Sequence, residues 1–237
     1  ILEDKISLTN LLLDSGATIR EVNSIRKHLS MLKGGRLAEA AKGSTIISLI
    51  ISDVVGDHID SIASGPTAPD PSTYHDSLNV LKRYALLDKT PESVTQLLKR
   101  GVEGFVSETP KPGDHAFNKV RNIVVANNSK SCYGAVEKLS ENGIKSIVLT
   151  SKLEGDVRDM GELFASMCAV IDKNRIQLGR PCALIVGGET TVKVVGNGRG
   201  GRNQEAALIC GRNIRGIDGI SIALIGTDGI DGPTDMA

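Results

Sequence analysis

The sequence predicts an α/β protein: a doubly wound, mainly parallel, Rossmann-like sheet in a larger domain, joined to a second, smaller α/β domain. Three observations carry this. From Ile123 onward, short apolar runs alternate with stretches of helical length, the pattern of successive βαβ units. The runs are rich in β-branched residues and continuous, as in strands covered on both faces. No tandem repeat or low-complexity segment interrupts them.

The elements follow in chain order. Ser7 to Ser15 predicts a short helix stopped by Gly16. Thr18-Ile19-Arg20-Glu21 is a capping box, with Thr18 as N-cap and Glu21 reaching back. Ile19, Val22, Ile25, Leu29 and Leu32 then recur at helical spacing as one buried stripe. Lys27 and Lys33 lie toward the C-terminal end, where the helix dipole favours cations. Lys33, beside Gly34-Gly35, is the better functional candidate, and His28 is expected to be structural. Arg36 to Ala41 makes a further short turn or two.

Thr45 to Asp53 predicts a buried strand. Ligands of open α/β sheets gather at the carboxyl ends of strands, so Asp53 and Asp57 are candidate Mg²⁺ ligands, acting through water as hard oxygen donors do. Capping of a following turn is the structural alternative. Ser64-Gly65-Pro66-Thr67-Ala68-Pro69-Asp70-Pro71 comes next. Asp76 to Tyr84 predicts a helix. Thr90-Pro91 opens another that runs to Gly101, with Thr90 as N-cap and Pro91 in the first position. Glu108 to Asp114 is a stiff loop, a lid or a connector, with connector the preferred reading.

Strand Ile123–Ala126, helix Ser129–Asn142 and strand Ser146–Thr150 make one βαβ unit. A helix from Asp156 to about Gln177 leads to Cys182–Val186, a strand. Gly187-Gly188-Glu189-Thr190-Thr191 follows, then a second strand from Thr191 to Val195, then Gly198-Arg199-Gly200-Gly201-Arg202-Asn203-Gln204-Glu205 and a helix. Six glycines within fifteen residues bring the backbone close to something. Bare amides at a helix start suit an anion, and Arg202 adds a fixed positive charge. Phosphate is the natural guest. Gly196-x-Gly198-x-x-Gly201 also matches the dinucleotide fingerprint, with Asp228 closing a strand from Ile220 to Ile225. The acidic residue lies further away than that fingerprint requires, and polar Arg202-Asn203-Gln204 fills the helix's first turn. No Gly-Lys-Ser/Thr sequence occurs, which excludes an ordinary P-loop.

Composition narrows the partners. Lys plus Arg and Asp plus Glu number 28 each, so no global field recruits nucleic acid or an anionic membrane. Aromatic residues make up 3% and Trp is absent, which removes the usual stacking platform for single strands. No apolar run is long enough to span a bilayer. Cys132, Cys168, Cys182 and Cys210 are widely spaced without a C-x-x-C pair, and three sit in apolar contexts, so core thiols are expected rather than ligands or bridges, which fits the cytoplasm. The chain begins at Ile1 without Met or signal peptide and stops at Ala237 after a polar loop, so further residues are expected at both ends.

Thr227 to Asp235 packs Asp228, Asp231 and Asp235 among glycines. The spacing is not that of an EF-hand. A carboxylate cluster beside a cationic glycine-rich loop suits a metal–nucleotide site or a polyhydroxy substrate.

These motifs in this order resemble the class II glycerate kinases, whose C-terminal domain is of the MOFRL type. The resemblance rests on Gly-Gly-Glu-Thr-Thr at 187–191, Gly-Gly-Arg-Asn-Gln-Glu at 200–205 and Gly-Thr-Asp-Gly-x-Asp-Gly-Pro-Thr-Asp at 226–235. Upstream it includes Arg26-Lys27-His28-Leu29-Ser30, Lys33-Gly34-Gly35, Ser52-Asp53-Val54-Val55-Gly56-Asp57, Ile62-Ala63-Ser64-Gly65-Pro66-Thr67 and the 108–114 segment. It covers essentially the whole chain. It implies ATP-dependent phosphorylation of D-glycerate to 2- or 3-phosphoglycerate, in a cleft between two α/β domains. Residues 1–179 would belong to the larger domain and 180–237 to the start of the smaller one. Family members carry a further N-terminal portion with an active-site lysine and a Ser-Gly-Gly-Gly-Ser run, and they continue past Ala237.

On that resemblance Arg202, Asp228 and Lys33 are the candidate catalytic residues. Gly187, Gly188, Glu189, Thr190, Gly200, Gly201, Asn203, Gln204, Asp231, Thr234, Asp235, Ser64 and Gly65 are candidate substrate or nucleotide contacts, and Asp53 and Asp57 candidate Mg²⁺ ligands. ATP, Mg²⁺ and D-glycerate are the implied cofactors and partners, without nucleic acid or membrane; a homodimer is compatible with all of this. The alternative from another enzyme class is an NAD(P)-dependent oxidoreductase acting on glycerate or hydroxypyruvate.

Overall fold

The computed structural model describes residues 2–172, 179–193 and 195–234. The chain packs as two compact units, Ile1–Val125 and Ala126–Ala237.

In the first unit, α1 (Leu2–Asp14), α2 (Ile19–His28), α4 (Tyr74–Arg83) and α5 (Glu92–Val102) enclose one apolar core. Leu8, Leu12, Val22, Ile25, Tyr74, Leu81 and Leu98 are essentially inaccessible, and burying each large aliphatic chain contributes about 2 kcal/mol. The capping box of α2 forms as expected: Glu21 Oε2 accepts from Thr18 N at 2.9 Å. A second one, Thr73 with Asp76, starts α4. The stripe on α2 is narrower than its sequence promises. Val22, Ile25 and Leu29 are buried, whereas Ile19 stands exposed in the first turn and Leu32 lies beyond the helix end.

At α5 the cap differs. Pro91 occupies the N-cap position, and the Thr90 hydroxyl instead donates to Leu86 O at 2.8 Å. The short α3 (Arg36–Ala40) follows Gly35, whose left-handed φ of 82° few other residues adopt.

β1 (Ile46–Ile51) pairs with β2 (Val120–Ala126). The expectation of a strand buried on both faces fails here. Ile47, Leu49 and Ile51 are 61%, 70% and 75% exposed, and Ile123 and Val125 share that exposure. The run alternates because the described sheet has only two strands, with one face uncovered.

In the second unit, α6 (Asn128–Glu141) packs on the parallel strands β3 (Lys145–Asp156) and β4 (Cys182–Thr191). Between the strands runs α7 (Val157–Asp172), which packs against α8 (Arg202–Asn213). The α/β class is as the sequence predicts, but the crossover falls one element later: among the described residues β3 pairs with β4 and β2 with β1, so β2, α6 and β3 do not make the expected βαβ unit. Two strand expectations do not hold. Gly187-Gly188 does not break the chain into two strands; both lie inside β4, and Val192, Lys193 and Val195 lie outside the ladder, residue 194 being outside the described residues. Residues 220–225 form no strand. The glycines stay in β4 because the neighbouring elements press on it. A Cβ on Gly187 would strike Asn128 and Cys132 of α6, and one on Gly188 would strike Leu153 of β3.

Candidate active site

α8 begins where the glycine-rich loop ends, and its first turn is closed by the chain itself. Asp231, 1% exposed, accepts from Asn203 N at 3.0 Å through Oδ1 and from Gln204 N at 2.8 Å through Oδ2. A carboxylate at this position satisfies two unpaired amides and complements the positive end of the helix dipole. Thr234 secures the arrangement: its hydroxyl donates to Asp231 O at 2.8 Å and accepts from Gln204 Nε2 at 2.7 Å. Gly201 is required, because a side chain there would collide with Asp231; Gly232, with φ of 64°, lies against the Gly200 carbonyl. The 226–234 loop and the glycine loop therefore form one layered structure.

This corrects one expectation. The first-turn amides, anticipated as anion donors, are occupied by Asp231, so any anion here is met by side chains. Arg202 is the principal one. It is partly buried, with 36% of its side chain exposed, and its Nη1 donates to Glu189 Oε1 at 2.7 Å, tying the start of α8 to the end of β4. Asn203 and Asp228 flank Gly226: a Cβ on that glycine would sit 3.4 Å from Asn203 Nδ2 and 3.2 Å from Asp228 Oδ1. Asp228 Oδ1 also accepts from Ile230 N at 3.2 Å.

Arg202, Asn203, Gln204, Glu189, Asp228, Asp231 and Thr234 are thus brought together around the α8 start. Gly187 and Gly188 are engaged in packing β4, and Thr190 lies in the β3–β4 ladder opposite Gly155. Gly200 borders the layered loop. Asp235 lies outside the described residues. The dinucleotide fingerprint loses its structural context. Among the described residues no strand reaches Gly196, a Cβ on Gly196 or Gly198 would meet nothing within 4 Å, and the Asp231 carboxylate occupies amides of the helix's first turn.

The first unit holds a separate polar cluster. Lys27 is 4% exposed, and its ammonium lies 3.3 Å from Asp70 Oδ1 and 3.4 Å from Asp60 Oδ2. Asp70, wholly buried, also accepts from Ser72 N at 3.0 Å, Ser72 Oγ at 2.7 Å and Thr109 Oγ1 at 3.0 Å. Burial pushes the Asp70 carboxyl up, but the Ser72 hydrogen bonds and the Lys27 charge more than offset this and hold it below the usual carboxylate range. His28 places Nδ1 2.7 Å from Ser24 O and Nε2 2.7 Å from Glu108 Oε1, and its ring meets Tyr74 edge to face at 4.5 Å. His28 is structural, as expected. The expectation for Lys27, a cation at a helix end, missed this interior network.

Lys33 donates to Ala63 O at 2.9 Å, and burial, then the Arg26 charge, lowers its pKa. The segment it holds is strained: Ala63 and Ser64 adopt φ of 51° and 60°, where non-glycine residues are rare. Ser64 and Gly65, expected to touch a ligand, are engaged internally. Their carbonyls accept from Gly34 N and Gly35 N at 2.9 and 2.8 Å, and the buried Ser64 hydroxyl donates to Asn23 at 2.8 Å. Asp53 is exposed, and Asp57 adopts a left-handed φ of 54°. Among the described residues no three His, Cys, Asp or Glu side chains converge on a metal position, and no helix is long and apolar enough to cross a membrane.

The chain resembles known proteins along its whole length. Residues 1–99 match the family described as "Domain of unknown function (DUF4147)", and residues 182–237 match the MOFRL family. A glycerate 2-kinase of Pyrococcus horikoshii is 44% identical over 237 residues, covering all of this chain and 53% of the relative. A glycerate kinase of Macaca fascicularis is 36% identical over 276 residues, covering all of this chain and 68% of the relative. The crystal structure of a glycerate kinase from Thermotoga maritima superposes with a TM-score of 0.86 at 42% identity, covering 99% of this chain and 54% of that one. The chain spans about half the length of several of the curated relatives it matches. With the glycine loop, the capped α8 and the Gly226–Thr234 segment in place, the chain belongs to the glycerate kinase family.

Proposed function

We propose that the protein transfers the γ-phosphoryl group of ATP to a hydroxyl of D-glycerate, giving 2-phosphoglycerate or 3-phosphoglycerate. The observation that carries this reading is Arg202, fixed by Glu189 at 2.7 Å in the first turn of α8, beside Asn203 and Asp228. In phosphoryl transfer the bond from the γ-phosphorus to the bridging oxygen breaks as the acceptor oxygen bonds to phosphorus. The protein contributes positioning and charge neutralisation.

Arg202 neutralises charge on the transferring group with a planar fork that lysine lacks. Asp228 accepts the proton leaving the acceptor hydroxyl, and Asn203 orients that hydroxyl. Lys33, in the first unit, is the further candidate catalytic cation. Asp231 acts one step back, by closing the helix and fixing the Arg202 backbone; Gln204 and Thr234 brace it. A magnesium ion would arrive with the nucleotide. The described residues offer no preformed cage for it, so Asp53 and Asp57 would supply at most one or two oxygens beside phosphate and water.

The proposed domains are residues 1–179, part of the larger one, and 180–237, the start of the MOFRL-type one; the compact units divide elsewhere, between Val125 and Ala126. The proposed setting is cytoplasmic, and a homodimer is compatible with it. Phosphorus NMR of the full-length enzyme with D-glycerate and ATP–Mg²⁺ tests the reading. A phosphomonoester signal is expected, and its coupling identifies which hydroxyl is esterified; recovery of unchanged ATP and D-glycerate overturns it.

A further inference from the structure

α2 carries two stripes. Val22, Ile25 and Leu29 enter the core. Arg20, Asn23, Ser24 and Lys27, at positions i, i+3, i+4 and i+7, line a pocket of about 330 Å³ whose opposite wall includes His58 and Asp60. A buried polar stripe on a helix is ordinarily matched group for group by protein partners. Here the match is incomplete, and the surplus consists of donors.

Asn23, 5% exposed, accepts from Ser64 through Oδ1, while its Nδ2 has no hydrogen-bond acceptor among the described residues. Lys27 reaches Asp70 and Asp60 only at 3.3 and 3.4 Å, longer than the ~2.7–2.9 Å of a good charge-assisted bond. Its third N–H has no partner among the described residues. Asp70 is already fully engaged by Ser72, Thr109 and Lys27. Asp60 is not: its side chain is 38% exposed and gives one oxygen to Lys27. The pocket therefore presents a row of donors along one helix face and a carboxylate acceptor opposite.

We propose that this pocket binds a small hydroxy acid, with its carboxylate between Asn23 Nδ2 and Lys27 Nζ and a hydroxyl donating to Asp60. Asn23 and Lys27 are one turn apart, about 5–6 Å between their Cβ atoms, a span that the two oxygens of one carboxylate can bridge. Arg20, a turn earlier and exposed, supplies a guanidinium at the rim that draws the anion in. The volume is at the small end of ligand pockets, which run from ~300 to 1,000 Å³. This inference rests on the reading of the substrate as D-glycerate and concerns a binding pocket of the first unit by itself, the reacting hydroxyl being the one given to Asn203 and Asp228.

The test is calorimetric titration of the full-length enzyme with D-glycerate, without nucleotide, and with glycerol as a carboxylate-free comparison. Asn23→Asp keeps the acceptor for Ser64 and replaces the free donor by a negative oxygen. Arg20→Gln changes an exposed side chain and leaves folding intact. D-glycerate affinity should fall about tenfold or more in Asn23→Asp and severalfold in Arg20→Gln, and glycerol should give no binding heat. Unchanged affinity in both variants, or no D-glycerate binding by the wild type, overturns the proposal. The kinase reading is decided separately. If the wild type phosphorylates D-glycerate and both variants bind it normally, the pocket assignment falls and the kinase stands. If the variants lose binding and the wild type makes no phosphomonoester, the pocket stands and the kinase falls.

Discussion

Asp231 Oδ2 lies 2.8 Å from Gln204 N, so α8, the helix that follows β4 in the MOFRL-type segment, is capped by a residue 27 positions downstream. That contact, with its companion to Asn203 N, makes the Gly226–Thr234 loop part of the helix start. It also explains why Gly201 cannot carry a side chain.

Asp231→Ala should therefore lower stability by about 1–2 kcal/mol, the cost of losing a strong N-cap, and reduce turnover by loosening Arg202. Urea unfolding followed by circular dichroism measures the first effect. An unchanged midpoint would contradict the capping role.

Asp70 and Glu108 give the first unit an acid limit. For Glu108, burial raises the pKa, but the amides of Thr109 and Tyr74 and the nearby His28 and Lys111 charges bring it below its ordinary value. Both folded-state values lie below the unfolded ones, so the stabilisation is complete above the unfolded pKa values of ~3.9–4.3. It is lost as pH falls through the folded values. Thermal melts should thus hold steady from pH 7 to about 5 and drop steeply below about 4. Asp70→Asn should melt lower at pH 7, with a flatter acid branch.

Gly187 tests the packing account of the glycine pair. Gly187→Ala should cost about 1–3 kcal/mol, as overpacking does, because the new methyl meets Asn128 and Cys132. Relief by a simultaneous Cys132→Ala change would localise the clash; no loss in Gly187→Ala would return the glycine to a ligand-facing role.

Local signals were legible where a side chain acts on its own neighbourhood. The Thr18–Glu21 box and most of the α2 core stripe follow from short-range chemistry. Gly187-Gly188 misled because two glycines in sequence imply a turn, and only the pressure of α6 and β3 on β4 shows otherwise. Asp231 was visible as a carboxylate, but nothing in its own loop announces a helix start 28 residues upstream. The burial of Asn23, Ser24 and Lys27 was not legible: polar residues at helical spacing opposite an apolar stripe read as a solvent face, and only the packing of distant segments encloses them.

The account turns on Arg202, and its turnover variant is the most direct test. In Arg202→Lys, phosphoryl transfer from ATP to D-glycerate by the full-length enzyme should fall by about 10²-fold or more. Folding should shift by less than about 1 kcal/mol, since the ion pair to Glu189 is partly exposed. A variant that turns over at the wild-type rate would contradict the assignment of Arg202 to the reacting phosphoryl group.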